Sequence, residues 1–237
     1  MISLKEALVR KNRVADMRAV QKEAIAEKIK KDYNTNSFEI LDDGNKFIVN
    51  IKATVTIHND NIKKIIDVTD GLFEFGYIQY LTIYNCKNLT SLEGCPEKVD
   101  NIEVYRCPKL DNLKGISTQC YDYLLEYLNI SNLEGLGNKC ECLTLYGLPK
   151  LKTLKYLPKN IKKLRLYGLN ELKDTSDMPK KLDELLIAWC PLKLSDFDVS
   201  YVYDLKGKYD PYGVKLYKED FKGKYTKCNI FQEESPF

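Results

Sequence analysis

One apolar pattern recurs six times between Ile78 and Lys193, and no other feature of the chain restricts its fold as much. The unit is Leu-x-x-Leu-x-Leu-x-x-(Asn or Cys)-x-x-Leu, with other aliphatics admitted at the Leu slots. The first copy is Ile78, Leu81, Ile83, Cys86 and Leu89; the second is Val99, Ile102, Val104, Cys107 and Leu110. The third uses Cys120, Tyr123, Leu125, Leu128 and Ile130, and the fourth Cys140, Leu143, Leu145, Leu148 and Leu151. Ile161, Leu164, Leu166, Leu169 and Leu172 form the fifth, and Leu182, Leu185, Ile187 and Cys190 the sixth, which ends at Leu192 or Leu194. The central slot falls at 83, 104, 125, 145, 166 and 187, in steps of 21, 21, 20, 21 and 21 residues. A register held this evenly marks a stacked-repeat architecture, because one such unit cannot bury its own apolar face.

The period lies in the leucine-rich-repeat range. Side chains alternate along a strand, so the two Leu of Leu-x-Leu point into the core and the residues between and after them point out. Leu92, Leu113, Leu133 and Leu154 then turn the chain back across the core, followed three residues on by Cys95, Ile116, Leu136 and Leu157. Each fully buried side chain of this size contributes about 1.5 to 3 kcal/mol before entropy is charged. The expected fold is therefore an α/β solenoid, a leucine-rich-repeat array with short parallel strands on its concave face.

The stretch from Cys86 to Val99, Cys-x-x-Leu-Thr-Ser-Leu-Glu-Gly-Cys-Pro-Glu-Lys-Val, resembles the repeats of leucine-rich proteins predicted in many tailed-phage and some bacterial genomes, where Leu-Thr-Ser-Leu-Glu-Gly-x-Pro units recur in tandem. The opening Met-Ile-Ser-Leu-Lys-Glu-Ala-Leu is similar to the start of such phage proteins. The resemblance covers residues 78 to 194 firmly and the amino-terminal part loosely. Later copies drift: Leu154-Lys-Tyr-Leu-Pro lacks the Gly, and Leu148 and Leu169 stand where the family prefers Asn or Cys. The resemblance implies an interaction scaffold with no conserved chemistry, acting in the host cytoplasm if phage-encoded.

Residues 1–52 read as an amino-terminal cap, with a partner-binding arm as the alternative reading of the basic helix. A helix is expected over residues 3–31, opened by a capping box of Ser3 and Glu6 and broken near Lys11-Asn12-Arg13. Phe38 to Leu41 and Lys46 to Ile51, joined by Asp42-Asp-Gly-Asn45, read as a hairpin. The repeat array is assigned to residues 53–194, with Val55, Ile57, Ile62 and Ile65 as a degenerate opening copy. Residues 195–237 carry Tyr201, Tyr203, Tyr209, Tyr212, Tyr217 and Tyr225, and with Asp210-Pro211-Tyr212-Gly213 as a type I turn they read as a Tyr-rich hairpin cap.

Composition excludes several functions. A net charge of +3 is too small to argue for nucleic acid. No stretch approaches the ~20 apolar residues of a membrane span, and the amino terminus lacks the run of a signal peptide. Of eight cysteines, Cys86, Cys107 and Cys190 share one slot, Cys120 and Cys140 another, and Cys95 replaces an aliphatic. These are expected to be buried free thiols, and neither a disulfide framework nor a metal site is expected. Cys142 and Cys228 lie outside the register, and thiol reagents are expected to reach them first. With His58 the only histidine, no Ser-His-Asp or Cys-His pair is available, and no phosphate-binding loop appears. No catalytic residue and no cofactor is assigned. The lysine-rich turns, Lys150 to Lys163 and Lys180-Lys181, read as solvated surface.

The functional signal lies on the other face of the strands. One outward column reads Tyr84, Tyr105, Glu126, Tyr146, Tyr167 and Ala188; the next reads Thr82, Glu103, Leu124, Thr144, Arg165 and Leu186. Arg106, Tyr127 and Trp189 follow at strand exits. Tyr, Trp and Arg dominate interface hot spots. The expected partner-binding set is therefore Tyr84, Glu103, Tyr105, Arg106, Glu126, Tyr127, Tyr146, Arg165, Tyr167 and Trp189, binding a protein. The competing reading is a nucleotide- or sugar-capturing module in which these rings stack on a ligand, helped by Arg106, Arg165 and Lys163. A third is that Tyr merely favours strands.

Overall fold

The structure is a computed structural model describing residues 4–192, 201–208 and 222–231. It is a parallel-strand β-solenoid with one amino-terminal helix, α1 (Leu4–Tyr33). Strands β1 (Phe38–Asp42) and β2 (Phe47–Ile57) form an antiparallel hairpin, with Phe38 opposite Ile51 and Asp42 opposite Phe47. Asp43 accepts from the amides of Asn45 and Lys46 and holds the turn. From β2 onward every neighbouring pair is parallel: β3 (Glu74–Tyr84), β4 (Lys98–Tyr105), β5 (Asp122–Glu126), β6 (Cys142–Tyr146), β7 (Lys163–Tyr167), β8 (Lys181–Ala188), β9 (Tyr201–Lys208) and β10 (Lys224–Phe231).

The strand pairing reproduces the sequence register. Ile57, Ile83, Val104, Leu125, Leu145, Leu166 and Ile187 lie side by side, as do Val55, Leu81, Ile102, Tyr123, Leu143, Leu164 and Leu185. All fourteen are buried, none above 3% exposed. The pairing of Val55 with Leu81 and Ile57 with Ile83 makes β2 the opening rung, as its sequence suggests. Behind the sheet the return segments carry their own ladder. Ile66 donates to Glu93, Leu92 to Lys114 and Leu154 to Asp174, all through backbone groups at 2.8 to 3.2 Å.

Gly94, Gly115 and Gly135 sit at the tightest point of the return, at φ +102°, +88° and +109°. A Cβ on Gly94 would lie 2.3 Å from the Ile66 amide nitrogen, so glycine is required there by both conformation and contact. Tyr156, in the copy that lacks this glycine, takes φ 69° itself. The third repeat is also irregular. Tyr123 fills a Leu slot, and its buried hydroxyl donates to the Ser117 carbonyl and accepts from the Gly137 amide.

Three expectations are corrected. The helix runs unbroken through Lys11-Asn12-Arg13, because Lys and Arg are good helix formers and no Gly or Pro interrupts. Ile25 and Ile29 are its buried anchors, Tyr33 leans on Phe75 at 6.1 Å, and Arg18 ion-pairs with Asp42 while lying over the Phe47 ring. The carboxyl-terminal strands do not form a hairpin: β9 and β10 pair parallel, Tyr201 beside Lys224, and simply extend the sheet. β8 offers an open edge to β9 in the same direction, so the ladder continues after the Leu pattern stops. Cys95 is half-buried as a residue, not fully enclosed like Cys86 and Cys107, although it packs against the core. Ser3, Leu194 and the Asp210 to Gly213 turn lie outside the described residues, as does the side chain of Cys228 on β10.

The core assignment predicts that Leu145→Ala, in the middle of the array, lowers unfolding free energy by about 2 to 5 kcal/mol. Lys152→Ala, on an exposed turn, is expected to stay within about 0.5 kcal/mol. Denaturant unfolding of both variants checks this; equal losses would refute the in/out assignment.

Candidate functional site

The outward column forms as read, with Tyr84, Tyr105, Glu126, Tyr146, Tyr167 and Ala188 paired strand to strand. Their rings interact. Tyr84 stacks on Tyr105 with centroids 5.3 Å apart and planes 17° apart. Tyr146 meets Tyr167 at 5.6 Å. Each of the two non-tyrosine positions is followed by an aromatic residue that restores the run. After Glu126, Tyr127 meets Tyr146 edge-on at 5.2 Å; after Ala188, Trp189 meets Tyr167 at 6.3 Å. The Arg106 guanidinium lies over the Tyr127 ring, 5.9 Å from its centroid.

His58, read from sequence as an ordinary residue beside a strand end, heads this row. It directly follows β2 and its ring lies 4.5 Å from Tyr84. Seven consecutive rungs thus each present a ring: His58, Tyr84, Tyr105, Tyr127, Tyr146, Tyr167 and Trp189. Strand spacing of about 4.8 Å is close to ring-contact distance, so one aromatic per rung stacks without distortion. Burial first, then the nearby Glu103, Tyr84 and Glu126, raises the Tyr105 phenol above its ordinary range. A hydrogen bond with Tyr146 is the first cause that raises Tyr127.

The residue after the column adopts a left-handed backbone in every repeat: Asn85, Arg106, Tyr127, Gly147, Gly168 and Trp189 have φ between 49° and 58°. Their amides donate onward where strand pairing would end, Asn85 to Tyr105, Arg106 to Glu126, Tyr127 to Tyr146, Gly147 to Tyr167 and Gly168 to Ala188, at 2.8 to 3.1 Å. The turn keeps the Arg106 and Tyr127 side chains exposed, where strict alternation would send them inward. Sequence reading placed these residues on the face but missed the conformation. The signal available was Asn85 with Gly147 and Gly168 in one slot, the residue types that tolerate φ above zero.

Other predicted site residues differ in availability. Glu103 is exposed on the neighbouring column. Arg165 is committed within the protein, its Nε donating to Glu184 at 2.5 Å, a hydrogen bond that raises its pKa further. It is therefore a poor candidate for holding an incoming phosphate. Lys163 is exposed on the third column, beside Cys142 and Glu184. Among the described residues no three His, Cys, Asp or Glu side chains gather as a metal set, and no helix is long and apolar enough to cross a membrane.

Along the rungs from β5 to β8 the face deepens into a cleft of about 560 Å³ lined by Tyr127, Tyr146, Gly147, Pro149, Gly168, Asn170 and Trp189. No charged side chain lines it. A Cβ on Gly147 would meet the Tyr127 ring at 2.6 Å, so that ring rests directly on the glycine. No family model, no curated protein and no solved structure matches the chain.

Cys142 lies on this face beside Asp122 and Lys163 and is half-buried. Burial, then the Asp122 charge, pushes its thiol up to about 11, which argues for slower labelling than its place outside the register suggests. Cys86 is the reverse: a hydrogen bond from Cys107 draws it down to about 7, yet it is wholly enclosed. Alkylation at pH 8 is therefore expected to modify Cys142 at least about tenfold more slowly than a free exposed thiol, since the thiolate is the nucleophile. Its rate should climb steadily as pH rises towards 11, whereas Cys86 should react only on unfolding. Peptide mapping after timed alkylation checks both; fast labelling of Cys86 in the native protein would contradict its burial.

Proposed function

We propose that this chain is a non-catalytic leucine-rich-repeat scaffold that binds a protein partner across its Tyr-rich sheet face. The observation that supports the reading is one ring on every rung from His58 to Trp189, half-buried to exposed and flanked by Glu103, Arg106 and Glu126. The rings form two contacting runs, His58 with Tyr84 and Tyr105, and Tyr127 with Tyr146, Tyr167 and Trp189. Stacking alone accounts for rings that touch. It does not by itself explain why a ring stands in the left-handed slot after Glu126 and Ala188, where Asn85, Arg106, Gly147 and Gly168 stand in the other repeats. That conformation costs an L-residue roughly 1 to 2 kcal/mol. Strain of this kind concentrates where a side chain must be presented in a fixed place.

Aromatic anchors suit a protein interface because they bury large areas and lose few rotamers on binding. A rigid solenoid holds them in their bound arrangement beforehand, which lowers the entropic cost of association. The Leu-Thr-Ser-Leu-Glu-Gly-x-Pro resemblance to phage leucine-rich proteins supports a bacterial host protein as the partner. A nucleotide ligand is the weaker reading, since Arg165 is paired to Glu184 and the cleft lining is neutral.

Partners captured from bacterial lysate on the immobilised protein are to be identified by mass spectrometry and then titrated against variants. Tyr105→Ala and Tyr146→Ala are each expected to weaken binding by more than about 1 kcal/mol, the usual scale for a truncated aromatic anchor. Their effect on stability should be smaller than that of Leu145→Ala. Lys152→Ala and Lys173→Ala should bind normally. Binding lost with the lysine variants and kept with the tyrosine variants would move the interface to the basic turns and refute the proposal.

A further inference from the structure

The left-handed column has an uneven composition with a physical consequence. Four of its six residues are not glycine, and Tyr127 and Trp189 flank Gly147 and Gly168. Glycine is the residue this backbone favours, and it stands at the two middle rungs; the flanking rungs keep large rings against the backbone's preference. The result is a tray in which the Tyr127 ring lies over Gly147, Trp189 stands at the other end and the backbone floor at Gly168 is bare, with Tyr146, Pro149 and Asn170 completing the lining. Tyr127 is fixed in place by Tyr146, which it meets edge-on, and by Arg106 behind it.

The lining chemistry narrows the occupant. The absence of charged side chains selects a neutral ligand. Apart from the ring polar atoms of Tyr127, Tyr146 and Trp189, Asn170 supplies the only polar side chain, so a ligand bringing many hydroxyls or amide N–H groups would leave some of them unpaired against the rings, at a cost of about 1 to 3 kcal/mol each. Proline avoids this cost. It has no N–H, presents a compact apolar ring to the aromatic walls, and leaves carbonyl oxygens to accept from a side-chain amide such as that of Asn170.

Length agrees with this chemistry. Tyr127 and Trp189 belong to rungs three strand steps apart, but the Tyr127 ring lies over Gly147, so the open span to Trp189 is about two steps, ~10 Å at normal sheet spacing. A polyproline II chain rises about 3.1 Å per residue, so about three residues span it. Such a chain is extended before it binds and loses little entropy on docking to an aromatic groove.

We propose that the cleft between Tyr127 and Trp189 binds a neutral proline-rich segment in the polyproline II conformation. The inference rests on the protein-binding reading above and names the part of the partner that this end of the face takes.

The chain contains one tryptophan, Trp189 itself, so intrinsic fluorescence reports on the tray directly. The probe is an acetylated, amidated decaproline, with a Gly-Ser decamer of the same length as control. Decaproline is expected to change the emission saturably and the Gly-Ser peptide to leave it unchanged. Gly168→Asn is the diagnostic variant. Asn85 already occupies the equivalent slot at φ 52°, and a Cβ at Gly168 meets nothing closer than 3.9 Å, so the fold accepts the change while the floor fills. That variant should melt like the wild type and bind decaproline at least tenfold more weakly.

Tyr105→Ala, one rung outside the tray, should bind decaproline normally even where it weakens the captured partner. Failure here and failure of the scaffold reading are thereby separated: a partner that ignores Tyr105→Ala and Tyr146→Ala refutes the scaffold, while decaproline alone tests the tray. No emission change at millimolar decaproline overturns the proposal. So does a change that survives Gly168→Asn, or a response to maltopentaose in place of decaproline.

Discussion

Everything in this molecule depends on backbone hydrogen bonding between one rung and the next, at an offset of 20 or 21 residues from β3 to β8. The pairing sets Ile83, Val104, Leu125, Leu145, Leu166 and Ile187 side by side, and β2 joins through a longer offset, with register shifts that still bring Ile57 beside Ile83. A slip of one residue would carry the aliphatics of that strand to solvent and the tyrosines into the core, so burial and register enforce each other. Two ladders share the load, one through the strands and one through the return segments at Ile66, Leu92 and Leu154. Contacts run only between neighbours, which makes stability a sum over rungs and their interfaces.

The same offset that closes the core creates the face. Because each rung repeats at about 4.8 Å, any residue type kept in an outward slot becomes a continuous row. The row here is aromatic, and where the slot holds Glu126 or Ala188 the left-handed residue behind it carries the ring. Two features that look unrelated, the positive φ values and the tyrosine ladder, therefore belong to one device. The left-handed amide continues the hydrogen bonding past the strand end, and its side chain stays in solvent beside the column. The tray at Tyr127, Gly147, Gly168 and Trp189 is where these two rows meet with the least side-chain bulk between them.

Much of this was legible in the sequence because burial leaves a periodic trace. Ile83, Val104, Leu125, Leu145, Leu166 and Ile187 announce the strands, and their outward neighbours follow by alternation. Even the degenerate copy at Val55 and Ile57 showed itself, through its place ahead of Ile83. What sequence could not show was pairing that leaves no apolar period. The parallel partnership of β9 with β10 is set by an open strand edge, and a run of tyrosines around Asp210-Pro211 suggests a hairpin instead. Backbone conformation was legible only in part. Gly94, Gly115 and Gly135 are visible as turn residues, but Arg106, Tyr127 and Trp189 give no compositional sign that they turn left-handed. The His58 contact with Tyr84 was missed because a lone histidine carries no signal until the register sets it beside a ring. Arg165 was overvalued for a related reason: its Glu184 partner lies 19 residues away, and only the pairing of β7 with β8 brings the two together.

The central claim, a parallel register that sets outward columns side by side, is tested most directly by cysteine cross-linking across one rung. Thr82 and Glu103 are register partners on the outward face. Adjacent parallel strands hold such Cα atoms at a separation compatible with a disulfide, about 5 Å. Under mild oxidation by oxidised glutathione, the Thr82→Cys, Glu103→Cys pair should form an intramolecular disulfide, seen by peptide mapping. The offset pair Thr82→Cys, Tyr105→Cys should stay reduced. Efficient cross-linking of the offset pair with none in the register pair would contradict the register and, with it, the aromatic face.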